Sequence, residues 1–89
     1  MVYIDSMEIK YKGMIMCHMI ADTDDELIAF AKSIGLKEVY WQYKGTYKSH
    51  FDISKSKKEL ALKNGAQLID RRMLVKILNK KKQEIKKDS

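Results

Sequence analysis

The chain has 89 residues, a formal net charge of +6 at pH 7 and no proline. A chain of this length forms one small domain that buries only about 60% of the surface its unfolded form exposes. Assembly into a homo-oligomer would relieve that shortage of core and is one expectation. A single cysteine excludes an intramolecular disulfide, and no apolar run approaches the ~20 residues of a membrane span. We therefore expect a cytoplasmic protein without membrane contact.

The first half of the chain predicts two strands and a helix. Residues 2–4 suit a short strand, whereas residues 6–13 have no clear period and are predicted as a loop. The continuous apolar run at residues 14–21 is typical of a strand covered on both faces. Residues 23–26, TDDE, have the spacing of a capping box, and the apolar face that follows predicts a helix that ends at Gly35.

The second half predicts an aromatic-rich hairpin followed by a helix, a strand and a helix. In order, these elements are strands at 38–43 and 47–53, a helix capped by Ser54 or Ser56, a strand at 66–69 and a helix capped by Asp70. Beyond Asn79 the last helix has little apolar surface to bury. We therefore predict a single domain at residues 1–79 and a frayed, Lys-rich tail at residues 80–89.

The predicted order, ββαββαβα, defines the fold class. Two strand–helix–strand passages favour parallel neighbours joined by right-handed crossovers, and the hairpin adds an antiparallel pair. The expectation is an α/β (α+β) fold with one mixed, twisted sheet of about five strands and about three helices.

The positive charge is concentrated at the C-terminus. Residues 1–70 contain ten Lys and ten acidic residues, whereas eight basic and two acidic residues at 71–89 account for the entire excess of +6. A basic segment attracts nucleic acid through counterion release, but it also keeps a small protein in solution. Nucleic-acid binding through the tail is therefore one alternative function.

Residues 39–53 combine aromatic rings with basic side chains more densely than any other stretch. Trp41 or Tyr43 could stack on a base, a contact worth about 1–3 kcal/mol. The side chains that could neutralise phosphate are Lys44, Lys48 and Arg72. The stretch therefore predicts a site for a small phosphorylated, nucleotide-like ligand.

The geometry of a strand limits which rings can reach such a site. Trp41 and Tyr43 share one face of the predicted strand, and Tyr40 and Gln42 share the other. Only one pair can line a site, and the other pair builds the core.

Two histidines and two carboxylates form a second candidate constellation. In the strand at 47–53, His50 and Asp52 share the outward face. Together with Asp5 and His18 they could bind a divalent ion and activate water, although no two of them have the spacing of a known metal motif. The other interpretation is structural: His18 is a core residue that donates a hydrogen bond to Asp5 across neighbouring strands, because buried polar groups find partners.

Two other kinds of chemistry are not supported. Cys17 and His18 are neighbours on a predicted strand and point to opposite faces, so they cannot form the pair that activates a thiol. Neither G-x-x-x-x-G-K-[ST] nor G-x-G-x-x-G occurs, so no cofactor is predicted.

Four segments together carry a likeness to known proteins: VYID, CHMIADTDDELIAFAKSIGL, SHFDIS and NGAQLIDRR. Over about residues 2–75 the chain resembles the small bacterial and phage domain-of-unknown-function family numbered 4031. The resemblance implies an acidic residue after the first strand, a histidine before the first helix and a His–aromatic–Asp triplet before the second helix. These fall on Asp5, on His18 and on residues 50–52. The resemblance also implies Tyr at the middle of the triplet, where this chain has Phe51. The resemblance implies a fold but no activity.

The primary interpretation is non-catalytic binding of a small phosphorylated, nucleotide-like ligand. In a phage protein, such binding would sequester a host nucleotide signal. The residues predicted to bind the ligand are Asp5, His18, Trp41, Tyr43, Lys44, Lys48, His50, Asp52 and Arg72. The alternatives are nucleic-acid binding through the tail, and a metal-dependent hydrolase or nuclease that uses Asp5, His18, His50 and Asp52.

Overall fold

The computed structural model describes residues 1–6, 8–11 and 13–87 of the chain. In chain order the elements are β1 (Val2–Asp5), β2 (Ile9–Tyr11), β3 (Met14–Ala21), α1 (Asp24–Ser33), β4 (Trp41–Gln42), β5 (His50–Ser54), α2 (Lys55–Lys63), β6 (Gln67–Ile69) and α3 (Arg71–Lys87), with a 3₁₀ turn at Glu38–Tyr40. These elements form a small α+β domain, which confirms the predicted fold class. Within the described ranges, no helix has the length and apolarity needed to cross a membrane.

The sheet is mixed, with strand order β4-β5-β3-β1-β6, and β2 forms a hairpin with β3. The described pairs are antiparallel except for β1 and β6, which run parallel. The expectation that each strand–helix–strand passage joins neighbouring parallel strands is wrong. Strand β5 lies between β3 and β4, and strands β3 and β1 lie between β5 and β6. The helices thus join strands of the same direction, but the antiparallel β5 lies between β3 and β4, and the antiparallel β3 together with the parallel β1 lies between β5 and β6.

Two local predictions from the sequence are also wrong. Residues 9–11, predicted as loop, pair with β3 as an edge strand, because Gly13 with a φ of 77° permits a reversal of the chain. The predicted strand at 38–43 is reduced to two residues. Tyr43 has a φ of 56°, which ends the extended conformation, and the returning strand begins only at His50.

Helices α1 and α2 cover one face of the sheet. The fully buried side chains on that face include Ile4, Met19, Leu27, Phe51 and Ile53. Phe51 and Ile53 therefore point inward, as their alternation with His50 and Asp52 predicts.

Helix α3 packs on the opposite face of the sheet. Ile20 of β3, Ile69 of β6 and Ile77 of α3 form a second buried cluster there. Strand β3 is therefore covered on both faces where Ile20 lies, as its continuous apolar run predicts. Side chains of β3 and β5 beyond this cluster, among them His18 and Asp52, remain partly exposed.

The predicted helix caps are confirmed by hydrogen bonds. The Thr23 hydroxyl accepts from the Glu26 N–H at 3.2 Å, and the Ser54 hydroxyl, one of the two alternatives, accepts from the Lys57 N–H at 3.4 Å. An oxygen of the Asp70 carboxylate accepts from a backbone N–H at 2.8 Å. Each bond satisfies a donor that would otherwise lack a partner at a helix start.

Helix α3 continues through residues 80–87, which the sequence predicts as a frayed tail. Lys81 lies one turn beyond Ile77 on the sheet-facing side and is only 6% exposed, so the helix still packs on the domain at this position. Residues 88 and 89 lie outside the described residues.

Candidate metal centre

A row of polar side chains crosses three neighbouring strands on the face that carries α3. His18 of β3 lies directly opposite Asp52 of β5. Asp5 of β1 follows the Ile4–Met19 pair in the register with β3, so it lies beside His18. Because side chains alternate along a strand, all three project from one face of the sheet. The strand order, which the sequence pattern did not predict, thus brings Asp5 and Asp52 to either side of His18.

His50 joins this row, and three side chains converge on one point. The Nε2 atom of His18 lies 3.4 Å from Oδ1 of Asp52, and Nε2 of His50 lies 3.3 Å from the same oxygen. The three atoms lie within 4.8 Å of one another, and the two imidazole rings meet edge to face at 4.9 Å. We call His18, His50 and Asp52 the triad.

The other nitrogen of each imidazole is held by an acceptor. Nδ1 of His18 lies 2.8 Å from Oδ2 of Asp5, and Nδ1 of His50 lies 2.7 Å from the backbone carbonyl of Lys48. A carboxylate and a carbonyl can only accept, so Nδ1 carries the proton in both rings. In the neutral rings, both Nε2 lone pairs therefore face the carboxylate of Asp52. Such acceptors repel each other unless a proton or a metal ion lies between them.

Asp5 is the buried anchor of the cluster. Its side chain is fully buried, and it accepts from the backbone N–H of His18 at 3.2 Å as well as from the ring. The hydrogen bond that His18 donates to Asp5 raises the pKa of His18 above its ordinary value. Burial opposes this shift, and the negative charges of Asp5 and Asp52 add to it. The predicted hydrogen bond between His18 and Asp5 is thus confirmed.

Gln42 is a member of the cluster that the sequence analysis did not identify. Its side-chain amide donates to Oδ2 of Asp52, which leaves Oδ1 directed at the two imidazoles. Gln42 pairs with His50 across β4 and β5, so the two project from the same face. The position of Gln42 between aromatic residues was a signal in the sequence. Only the pairing of Gln42 with His50 shows that its side chain lies in the cluster.

Two clefts are lined by His18 of the triad. One, of about 270 Å³, lies between the sheet and α3 and is lined by His18, Ile20, Tyr43, Lys48, His50, Leu74 and Leu78. The other, of about 420 Å³, is lined by Ile9, Met16, His18, Tyr40, Gln42 and Asp52. We call the first the α3 cleft. It contains the predicted ligand-binding residues Tyr43 and Lys48 beside the two histidines.

Three predicted ligand-binding residues lie elsewhere. Trp41 packs on the α1 and α2 face, where its ring stacks on Phe51 at 5.8 Å and its indole N–H donates to Ser49 at 2.7 Å. The ammonium group of Lys44 lies 4.9 Å over the Trp41 ring, outside both clefts. Arg72 is exposed at the start of α3 and lines neither cleft.

Tyr43 reaches the triad although Trp41, two residues earlier, does not. Strict alternation would place both rings on one face. The positive φ of Tyr43 ends the alternation, and its ring stacks on His50 with 5.8 Å between the ring centroids. The prediction that Trp41 and Tyr43 share a face is therefore wrong.

Fold and site together define a small α+β domain that carries a histidine–carboxylate cluster on a partly open sheet face. The chain belongs to the family described as a protein of unknown function (DUF4031), whose model matches residues 2–81. The match extends into the segment predicted as a tail outside the domain. A search of curated proteins found no match, and a search of solved structures also found none.

Proposed function

We propose that the triad binds a divalent transition-metal ion and that the protein is a metal-dependent hydrolase of a small phosphorylated molecule. One observation carries the proposal. The Nε2 atoms of His18 and His50 converge on one oxygen of Asp52, while acceptors hold both Nδ1 atoms and so fix the tautomer that binds metal.

The distances favour zinc among the divalent ions. Ligand atoms about 2.0–2.2 Å from a tetrahedral ion lie about 3.3–3.6 Å from one another. The two contacts of Asp52 Oδ1, at 3.3 and 3.4 Å, fall in that range. Two imidazoles and one carboxylate are also a ligand set found in catalytic zinc sites. The two Nε2 atoms lie within 4.8 Å of each other.

The residues around the triad support metal binding in the same way. Each ligand is oriented by a further hydrogen bond: His18 donates to Asp5, His50 donates to the Lys48 carbonyl, and Asp52 accepts from Gln42. Such outer partners fix ring orientation and raise the basicity of the ligand. Burying a carboxylate is costly unless it is hydrogen-bonded, and both hydrogen bonds of the buried Asp5 come from His18, which fits this role.

A divalent ion held by the three residues of the triad would have a further coordination position for water and would lower the pKa of that water to about 7. Hydrolysis then forms a bond from the water oxygen to phosphorus and breaks the bond from phosphorus to the ester oxygen, which takes up a proton. Lys48 lines the α3 cleft and can neutralise a phosphate bound there. Hydrolysis of a phosphate ester is thus the reaction that the cluster and the cleft support best.

Binding without catalysis uses the same cleft, so a direct assay must distinguish the two. Zinc-loaded protein is expected to hydrolyse p-nitrophenyl phosphate or bis-p-nitrophenyl phosphate, and Asp52→Asn is expected to lower the rate at least about 100-fold. Glu59→Gln, which removes an exposed charge on α2, is the matched control and should retain activity.

A protein that binds zinc through the triad but releases no nitrophenolate from either ester would contradict the hydrolase and support the non-catalytic binder. Nucleic-acid binding through residues 80–89 stays a prediction. Its signature would be a steep fall in affinity with salt, which metal removal would not change.

A further inference from the structure

We propose that the ring of Tyr43 is a stacking platform that makes the α3 cleft select nucleotides over other phosphate esters. The inference rests on the proposed function, because it places the phosphate beside the triad. It adds that the substrate carries, besides the phosphate, a planar aromatic base.

The backbone of Tyr43 is strained. Its φ of 56° is the only positive value among the described residues other than glycine. A bulky side chain in this left-handed region is a genuine outlier, whereas glycine or asparagine occupies it at low cost. The tyrosine at this position therefore needs an explanation other than backbone preference.

The surrounding turn holds Tyr43 in this conformation. Its carbonyl accepts from the N–H of Thr46 at 3.1 Å and from the Thr46 hydroxyl at 2.8 Å. The N–H of Gly45 donates to a carboxylate oxygen of Asp24 at 2.9 Å, which attaches the turn to the start of α1. The turn would form equally well with a small residue at position 43, so the turn does not explain the tyrosine.

Burial does not explain the tyrosine either. The residue is 60% exposed, so most of its surface stays in contact with water. Its clearest contact is with His50, at an angle of 28° between the ring planes. A strained residue that remains mostly exposed is typical of a functional site, where the strain serves a ligand.

The position of the ring specifies the ligand. Tyr43 lies at the α3 cleft together with Lys48 and the two histidines, and Leu74 and Leu78 of α3 form an apolar wall. An exposed aromatic face beside an apolar wall accepts a flat heterocycle, since every base has a face on which a ring can stack. The cleft, at about 270 Å³, lies slightly below the range of about 300–1,000 Å³ for ligand pockets, so it suits a small ligand.

Two ligands that differ only in the base provide the test. AMP and ribose 5-phosphate carry the same phosphate, so any contribution of metal or Lys48 cancels in the ratio of their dissociation constants. Equilibrium dialysis of zinc-loaded protein, with the ligands checked for integrity afterwards, should give AMP an advantage of about 5- to 150-fold.

Two variants separate the ring from the fold. Tyr43→Asn removes the ring but suits the left-handed backbone, so its thermal unfolding midpoint should equal or exceed that of the wild type while the preference for AMP disappears. Tyr43→Phe should keep the preference. Equal binding of the two ligands by the wild type, binding of neither, or a preference that survives in Tyr43→Asn would overturn the inference.

The outcome also separates this inference from the metal proposal. Zinc binding without a preference for AMP contradicts the platform alone. A preference for AMP in a protein that binds no zinc contradicts the metal-dependent hydrolase alone. Tyr43→Asn that loses zinc as well as AMP would show that the ring orients His50 and is not a platform.

Discussion

His18 and Asp52 face each other across β3 and β5, and the Nε2 atom of the histidine lies 3.4 Å from Oδ1 of the aspartate. The Nδ1 atom of the same ring is bound to Asp5. The imidazole of His18 therefore lies between two carboxylates. The contact between its Nε2 atom and Asp52 is attractive only when Nε2 binds a proton or a metal ion. In the absence of metal that cation is a proton, so protons and metal ions compete for one position.

This competition predicts opposite pH dependences with and without metal. Because the hydrogen bond that His18 donates to Asp5 raises the pKa of His18 in the folded state, the folded protein holds the proton more tightly than the unfolded chain. In EDTA, the resulting stability is fully present below the unfolded pKa of about 6.5 and is lost as the pH rises through the higher folded pKa. Urea unfolding of the wild type should show this fall, and His18→Gln should not.

Added zinc should reverse the trend, because metal binding requires the deprotonated imidazole. The stabilisation by zinc should therefore increase as the pH rises from 6 to 8. A zinc effect that is independent of pH over this range would mean that His18 is not a ligand.

The hydrogen bonds behind the triad predict the behaviour of Asp5. Asp5→Asn keeps the shape of the side chain but removes the charge that supports His18. We expect zinc affinity to fall about 10- to 100-fold, as is typical for an outer partner of a metal ligand. Competition with a zinc-binding dye measures the change, and Glu59→Gln provides the control for loss of a charge. Unchanged affinity would show that Asp5 has only a structural role.

The sequence predicted most of the fold because the signals for it are local. The capping residues Thr23, Ser54 and Asp70, and the buried face of β5, each depend on neighbours within a few positions. The strand order could not be predicted in this way. It depends on β5 pairing with β3, which is a contact between residues far apart in the chain.

The candidate site was predictable as a set of residues but not as an arrangement. The types and faces of His50 and Asp52 were clear, whereas their approach to His18 follows from the register of β5 on β3. Trp41 and Tyr43 were predicted on one face because nothing local indicates a positive φ at a tyrosine. Residues 80–87 were predicted to fray because a lysine at position 81 gave no sign of burial.

The contacts of Trp41 predict a structural role. Its indole N–H donates to the hydroxyl of Ser49, a residue that is fully buried. Trp41→Phe keeps the stacking on Phe51 but removes this donor, so the free energy of unfolding should fall by about 1–3 kcal/mol. Urea unfolding followed by circular dichroism measures the loss. Zinc affinity and the preference for AMP should not change, and a change in either would place Trp41 in the site.

Lys81 predicts a gain in stability on substitution. Its side chain is buried, its Nζ atom has no hydrogen-bond partner among the described residues, and burial lowers its pKa. Lys81→Met removes the cost of burying an amine and should raise the free energy of unfolding by about 1–3 kcal/mol. Lys80→Met, at an exposed position, is the matched control and should change it by less than about 0.5 kcal/mol. A destabilised Lys81→Met would indicate that the amine has a partner.

Titration of the metal-stripped protein with zinc, followed by calorimetry and by metal analysis after dialysis, tests the central claim most directly. The arrangement of His18, His50 and Asp52 predicts one zinc ion per chain, with binding lost in Asp52→Asn and retained in Glu59→Gln. A wild-type protein that binds no zinc, or an Asp52→Asn variant that binds it as tightly as the wild type, would contradict the metal centre.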